Sequence, residues 1–245
     1  MSLDDRDWYR DEIRERGARY SNGMERPSSR TVRLSDYSVK GTKAAGVILL
    51  LLILFAGVTY GAAYYVAFPA TVGFIAVNAL IWLLVNTNKM SVNQLGVSCM
   101  LVKRYKQWYR IISSEFTHEN PMHILCNMYS LFNIGSVLEQ MLGTVLFTIV
   151  YFLIGIVGGL ISYAIHKKYE PNVISIGASG IICGLLGVYV VIAFHFTGFQ
   201  ALMSVASSMV LLVLMVFSKH IDSIGHFSGL ATGILTGIGI VRLFY

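Results

Sequence analysis

Residues 171–218 read PNVISIGASGIICGLLGVYVVIAFHFTGFQALMSVASSMVLLVLMVFS, 48 residues without one Lys, Arg, Asp or Glu. A helix crosses a hydrocarbon layer about 30 Å thick in about 20 residues, so a run of this length holds two crossings. A second uncharged run, residues 44–88, spans 45 residues, and Gly61 and Pro69 mark its break. Working outward from these runs, hydropathy divides the chain into spans at 44–66, 69–88, 122–141, 145–165, 174–196, 199–217 and 224–243. Between the second and third lies a longer connection, 89–120, which carries Lys89, Lys103, Arg104, Lys106 and Arg110 and apolar stretches suited to interfacial helices. The remaining connections are short, so neighbouring spans run antiparallel in an all-α, polytopic helical bundle.

Composition points the same way. Of 245 residues, 55% are hydrophobic and 13% charged, with a mean hydropathy of +0.63. A water-soluble domain of this size cannot hide that much apolar surface. Ten basic and eight acidic residues fall in the first 43 positions, so the net charge of +6 is mostly tail and loop charge. That excludes a soluble nucleotide-binding or nucleic-acid-binding domain and makes membrane lipid the surrounding partner. The tail, 1–43, reads as mostly disordered, with one short helix near 7–16. No apolar run precedes residue 44, which argues against a cleaved signal peptide. Cys99, Cys126 and Cys183 show no CxxC pairing and read as small apolar filler.

In lipid the informative residues are the polar ones, because each costs several kcal/mol unless it is paired or hydrated. His123 and Asn127 begin the third span, Gly177-Ala178-Ser179-Gly180 the fifth, and His226 the seventh. Odd-numbered spans run in one direction, so the three groups open at one membrane face. Ser179 is expected four to six residues inside its span, roughly 6 to 9 Å deep at 1.5 Å per residue. A serine hydroxyl becomes a nucleophile when a base takes its proton, and a histidine, with a reference pKa near 6.5, is a suitable base. His123 and Asn127, four apart, share a helical face and can join the Ser179 amide in surrounding an oxyanion. Gly225, Gly229, Gly233 and Gly237 recur every fourth residue, and Gly180, Gly184 and Gly187 form a similar ridge. Such ridges let two helices approach closely enough for Ser179 to meet His226; plain helix packing explains the ridges equally well. Glu139 lies 16 residues beyond His123, about 24 Å along the axis, and is expected to hydrogen-bond neighbouring backbone. His118 is read either as support for a loop or water network or as an interfacial histidine. His166, His195 and His220 receive no role.

Other membrane-protease chemistries do not fit. Between Tyr37 and Ile221 there is no Asp, so an aspartyl dyad is missing, and with it a third carboxylate for a Ser-His-Asp triad. His118 and His123 are five apart with Pro121 between them, unlike the HExxH zinc motif, so no metal site is expected. Ile181 replaces the last glycine of a GxSxG elbow. No internal repeat or ion-coupling carboxylate pair suggests a transporter.

The set His118-x-x-x-x-His123-x-x-x-Asn127, Gly177-Ala178-Ser179-Gly180 and Gly225-His226-x-x-Gly229-x-x-x-Gly233 resembles the rhomboid intramembrane serine proteases. The resemblance covers about 69–243 and implies a six-helix core, with 44–66 added in front of it as an extra transmembrane helix. It implies Ser179 as nucleophile, His226 as general base and later acid, and His123 and Asn127 as oxyanion stabilisers. His118, Arg110, Gly177, Gly180, Gly229 and Gly233 would support them, with no cofactor. The family places a Trp-Arg pair in the first long connection, where this chain has Trp108-Tyr109-Arg110. Cys183 stands where some members stack an aromatic on the histidine. By the same resemblance the sixth span is a lateral gate, and the substrates are transmembrane segments of other proteins. The implied molecule is a multi-pass endopeptidase of the plasma (cell) membrane. The competing implication is a catalytically silent relative that binds or escorts transmembrane clients, which would be expected to lack Ser179 or His226.

Overall fold

In the computed structural model the described residues are 42–87, 90, 92–169, 173–198, 200, 203 and 222–245. The charged tail before Thr42, with its expected helix near 7–16, lies outside them. So does the sixth span expected at 199–217, apart from residues 200 and 203. The described elements are α1 (Thr42–Ala62), α2 (Pro69–Asn86), α3 (Val92–Leu95), α4 (Cys99–Tyr105), α5 (Arg110–Ser113), a 3-10 turn (Ser114–Phe116), α6 (Pro121–Leu142), α7 (Thr144–Tyr169), α8 (Ser179–Thr197) and α9 (Ser223–Phe244). Four of them, α2, α7, α8 and α9, are long and apolar enough to cross a membrane by length and composition. With 21 and 22 residues, α1 and α6 also reach about 30 Å. The chain is an integral multi-pass membrane protein built as a helical bundle.

Local sequence explains where the helices begin. Pro69 and Pro121 occupy first-turn positions, where a missing N–H costs nothing. Asn120 caps α6 by accepting from the His123 N–H at 2.8 Å. Gly143, at φ +75°, then allows the tight passage from α6 into α7. Near that turn Glu139 is buried and accepts from the N–H groups of Ala70 (2.8 Å) and Thr71 (2.7 Å) and from the hydroxyls of Thr71 and Thr144. A carboxylate at a helix start satisfies donors that have no partner inside the helix and complements its dipole. Glu139 thus has the structural role expected of it.

Two kinds of contact hold the bundle. Phe55 of α1 stacks on Phe74 of α2 at 4.4 Å, and Phe74 lies 3.6 Å from Tyr151 of α7, so rings separate these backbones. Along much of the seam between α8 and α9, glycines stand where side chains would separate the backbones. A Cβ at Gly229 would collide with the Gly180 carbonyl, and one at Gly233 with the Gly184 carbonyl. One at Gly187 would stand 2.9 Å from the Ile234 nitrogen. The two glycine ridges face each other, and the helices meet backbone to backbone.

The 89–120 connection forms the short helices expected of it. Arg110, almost fully buried, donates to the Gly96 carbonyl at 2.7 Å and to Gln107 Oε1 at 2.6 Å. Ser113 Oγ donates to the Leu95 carbonyl at 2.8 Å. Trp108 is half exposed and packs edge-on against Tyr163. One expectation needs correction: α8 starts at Ser179, not at 174. Residues 173–178 lie outside the helix because Ser175 pairs with Val97 through two backbone hydrogen bonds, and Gly177 N–H donates to the Ser114 carbonyl at 2.9 Å. Hydropathy sees that segment as apolar and cannot register its pairing.

Candidate functional site

Three helix starts meet on one side of the bundle: His123 in the first turn of α6, Ser179 at the first position of α8 and His226 in the first turn of α9. The glycine seam brings the last two together. Ser179 and His226 are buried, and Ser179 Oγ lies 2.6 Å from His226 Nε2, within reach for the hydroxyl to donate to an unprotonated ring nitrogen. Gly180 and Gly229 stand at the top of the seam beside this pair and Gly233 one turn below, which explains why side chains there would part it. Among the described residues, His226 Nδ1 makes no hydrogen bond. Cys183 is buried one turn beyond Ser179.

The opposite wall comes from α6 and the residues before it. Gly177 has φ +112°, a conformation that suits glycine, and it also leaves space. A Cβ there would lie 2.6 Å from His123 Nε2 and 3.6 Å from Asn127 Nδ2. Two donors therefore converge beside the Ser179 amide at a helix N-terminus, an arrangement suited to a developing oxyanion. His118 is buried, and its Nε2 lies 2.9 Å from Asn127 Nδ2. Burial and then the neighbouring His123 lower the His118 pKa to about 3, so its ring is neutral and Nε2 can accept from the Asn127 amide. That leaves the second amide hydrogen of Asn127 for the site. His118 is thus in hydrogen-bond contact with Asn127. Arg110 bonds the Gly96 carbonyl, next to Val97, which pairs with the segment leading to Ser179.

The dyad borders a cavity of about 50 Å³ whose walls include Glu115, Ser162, His166, Ser175 and Asp222. None of these five was assigned a role from sequence. Asp222 caps α9 by accepting from the Gly225 N–H at 2.8 Å, accepts from His166 at 2.8 Å, and receives the Ser175 hydroxyl at 2.5 Å. Burial alone would raise its carboxyl, but the bonds from His166, Ser175 and Gly225 outweigh it and hold the pKa below its usual value. Glu115 behaves oppositely: burial, and then the Asp222 charge, push its carboxyl well above the usual range. His166 thus has its hydrogen-bond partner at the edge of the cavity. The Asp-free stretch that excluded a nearby carboxylate ends one residue before Asp222. An Asp three residues ahead of Gly225 at the head of an apolar run was a readable cap signal; the bonds to Ser175 and His166 had none. His195 is exposed near the end of α8 beside Phe196, and His220 lies outside the described residues.

The family model for the rhomboid domain matches residues 105–243. The chain is 30% identical over 182 residues to the putative rhomboid protease YdcA of Bacillus subtilis (strain 168), covering 69% of this chain and 86% of that one. It is 31% identical over 140 residues to rhomboid-like protease 2 of Toxoplasma gondii, covering 55% and 48%. With the rhomboid protease GluP of Bacillus subtilis (strain 168) it shares 26% over 170 residues, covering 65% and 32%. The match thus spans most of the first relative's length and half or less of the other two.

Proposed function

The chain belongs to the rhomboid family, and we propose that it is an intramembrane serine endopeptidase that cleaves transmembrane segments of other proteins with a Ser179–His226 dyad. The observation that carries this reading is the 2.6 Å contact between Ser179 Oγ and His226 Nε2, made between two buried side chains on apolar helices. In this reading 69–243 is the protease core, 44–66 an added transmembrane helix and 1–43 a tail, in a protein of the cell membrane.

The chemistry follows from the geometry. A substrate helix hides its carbonyls in internal hydrogen bonds, so it unwinds locally before reaching the site. Ser179 Oγ attacks the exposed carbonyl carbon while its proton passes to His226 Nε2. The oxygen that gains charge is received by His123, Asn127 and the Ser179 amide. His226 then gives the proton to the leaving amine, and the acyl group stays on Ser179. A water molecule, deprotonated by His226, releases it.

Labelling by a serine-reactive phosphonate tests the reading. The wild-type chain, reconstituted in lipid, should label and should cleave a transmembrane substrate; Ser179→Ala and His226→Ala should do neither. Asn127→Ala should retain residual turnover, lowered about 10²- to 10³-fold, because the other donors remain. A wild-type chain that binds transmembrane segments but never labels would establish the escort function instead.

A further inference from the structure

The Asp222 carboxylate gathers groups from three parts of the chain that the reaction must keep in register. It caps α9 through the Gly225 N–H, three residues beyond it, and His226 is the next residue. It takes the hydroxyl of Ser175, four residues before the nucleophile in the segment that delivers it. It also accepts from His166 in the last turn of α7. Asp222 and His226 are four apart, so both side chains project from the same side of the first turn of α9.

Charge adds to this geometry. Three donors hold the partly buried Asp222 carboxyl below its usual value, and His226 becomes a cation when it takes the Ser179 proton. The other charged or titratable groups around the pair are Glu115, Cys99, Lys167 and His166. Glu115, on the 3-10 turn, has its carboxyl pushed well above the usual range by burial and then by Asp222 itself. Cys99, on α4, feels both Asp222 and Lys167, and burial pushes its thiol up to about 12. His166 is bonded to the carboxylate directly.

We propose that Asp222 is a positioning residue for the reaction: it fastens the segment bearing Ser179 to the helix bearing His226 and holds a negative charge one turn from the imidazole that receives the serine proton. This rests on the protease reading above. It differs from a Ser-His-Asp triad because Asp222 bonds the scaffold on both sides of the dyad, while His226 Nδ1 makes no hydrogen bond among the described residues.

The test uses the full chain in lipid vesicles, with steady-state cleavage and phosphonate labelling followed from about pH 5 to 9. Asp222→Asn keeps one acceptor oxygen and removes the charge. It should lower kcat about tenfold or more with KM nearly unchanged, and should move the acid limb of the profile to lower pH, because the imidazolium loses its partner charge. A merely structural cap would leave that limb in place. Ser175→Ala removes one anchor and keeps the charge, so it should lower kcat several-fold with the limb unmoved. It also serves if Asp222→Asn does not fold. An active wild type whose Asp222→Asn variant has an unmoved acid limb, or whose Ser175→Ala variant has an unchanged kcat, overturns the proposal and leaves the protease reading standing. An inactive, unlabelled wild type overturns both.

Discussion

Glu139 and Asp222 are two buried or partly buried carboxylates, each set against the start of a helix and each accepting several hydrogen bonds. Glu139 serves the beginnings of α2 and α7, where its partners are two backbone amides and two threonine hydroxyls. Nothing in that set takes or gives a proton during a reaction. Asp222 serves the beginning of α9 among a histidine, a serine and the dyad. The same physics, a carboxylate satisfying the donors of a helix start, therefore braces the bundle at one end and prepares a site at the other. The neighbours decide which.

That contrast can be broken from either end. Glu139→Ala should have the largest effect on folding, because it leaves buried N–H groups of Ala70 and Thr71 without acceptors, a loss of roughly 2 to 5 kcal/mol. Thermal unfolding in detergent should detect it, while the pH profile of the remaining folded enzyme keeps its wild-type shape. Gly233→Ala should cost about 1 to 3 kcal/mol by overpacking the seam. It should reduce cleavage more than that loss of folding implies, since a methyl group driven into the Gly184 carbonyl parts Ser179 from His226. A Gly233→Ala chain with wild-type turnover would show that the seam does not set the dyad distance. Glu139→Gln, which keeps one acceptor, should lose only about 1 kcal/mol.

The smallest effect is one of pH. The Asp222 carboxyl titrates below its unfolded value of about 3.9, so its cap contributes stability above that value and loses it as pH falls through the folded pKa. Hydrogen-exchange protection at the start of α9 should therefore hold constant through neutral pH and fall only below about pH 4. Asp222→Asn should abolish that fall.

The residues that sequence exposed and those it hid differ in a physical way. Ser179, His226, His123 and Asn127 stand out because a polar group in an apolar helix demands an explanation. Their antiparallel order also placed them on one face. Gly229 and Gly233 were legible as a ridge by their spacing of four, and the ridge beside Ser179 pointed to the partner helix, although which glycine faces which was not legible. Asp222, His166, Ser175 and Glu115 lie at the edges of spans, where a polar residue is ordinary, and positions 166, 175 and 222 become neighbours only through folding. The start of α8 was misplaced for the same reason, since the pairing of Ser175 with Val97 bridges 78 positions of chain.

Sequence alone determined that this protein lives in lipid, that it is a bundle of helices, and which side chains the membrane would make too costly to keep without a use. Hydropathy and helical period are local properties, and local patterns carry them in full. Tertiary structure alone decided that Gly180 faces Gly229 and that Ser179 Oγ reaches His226 Nε2. It also decided that a carboxylate outside the apolar runs ties three segments together beside them. Those are contacts between backbones and side chains distant in the chain, and their geometry exists only once the helices have packed.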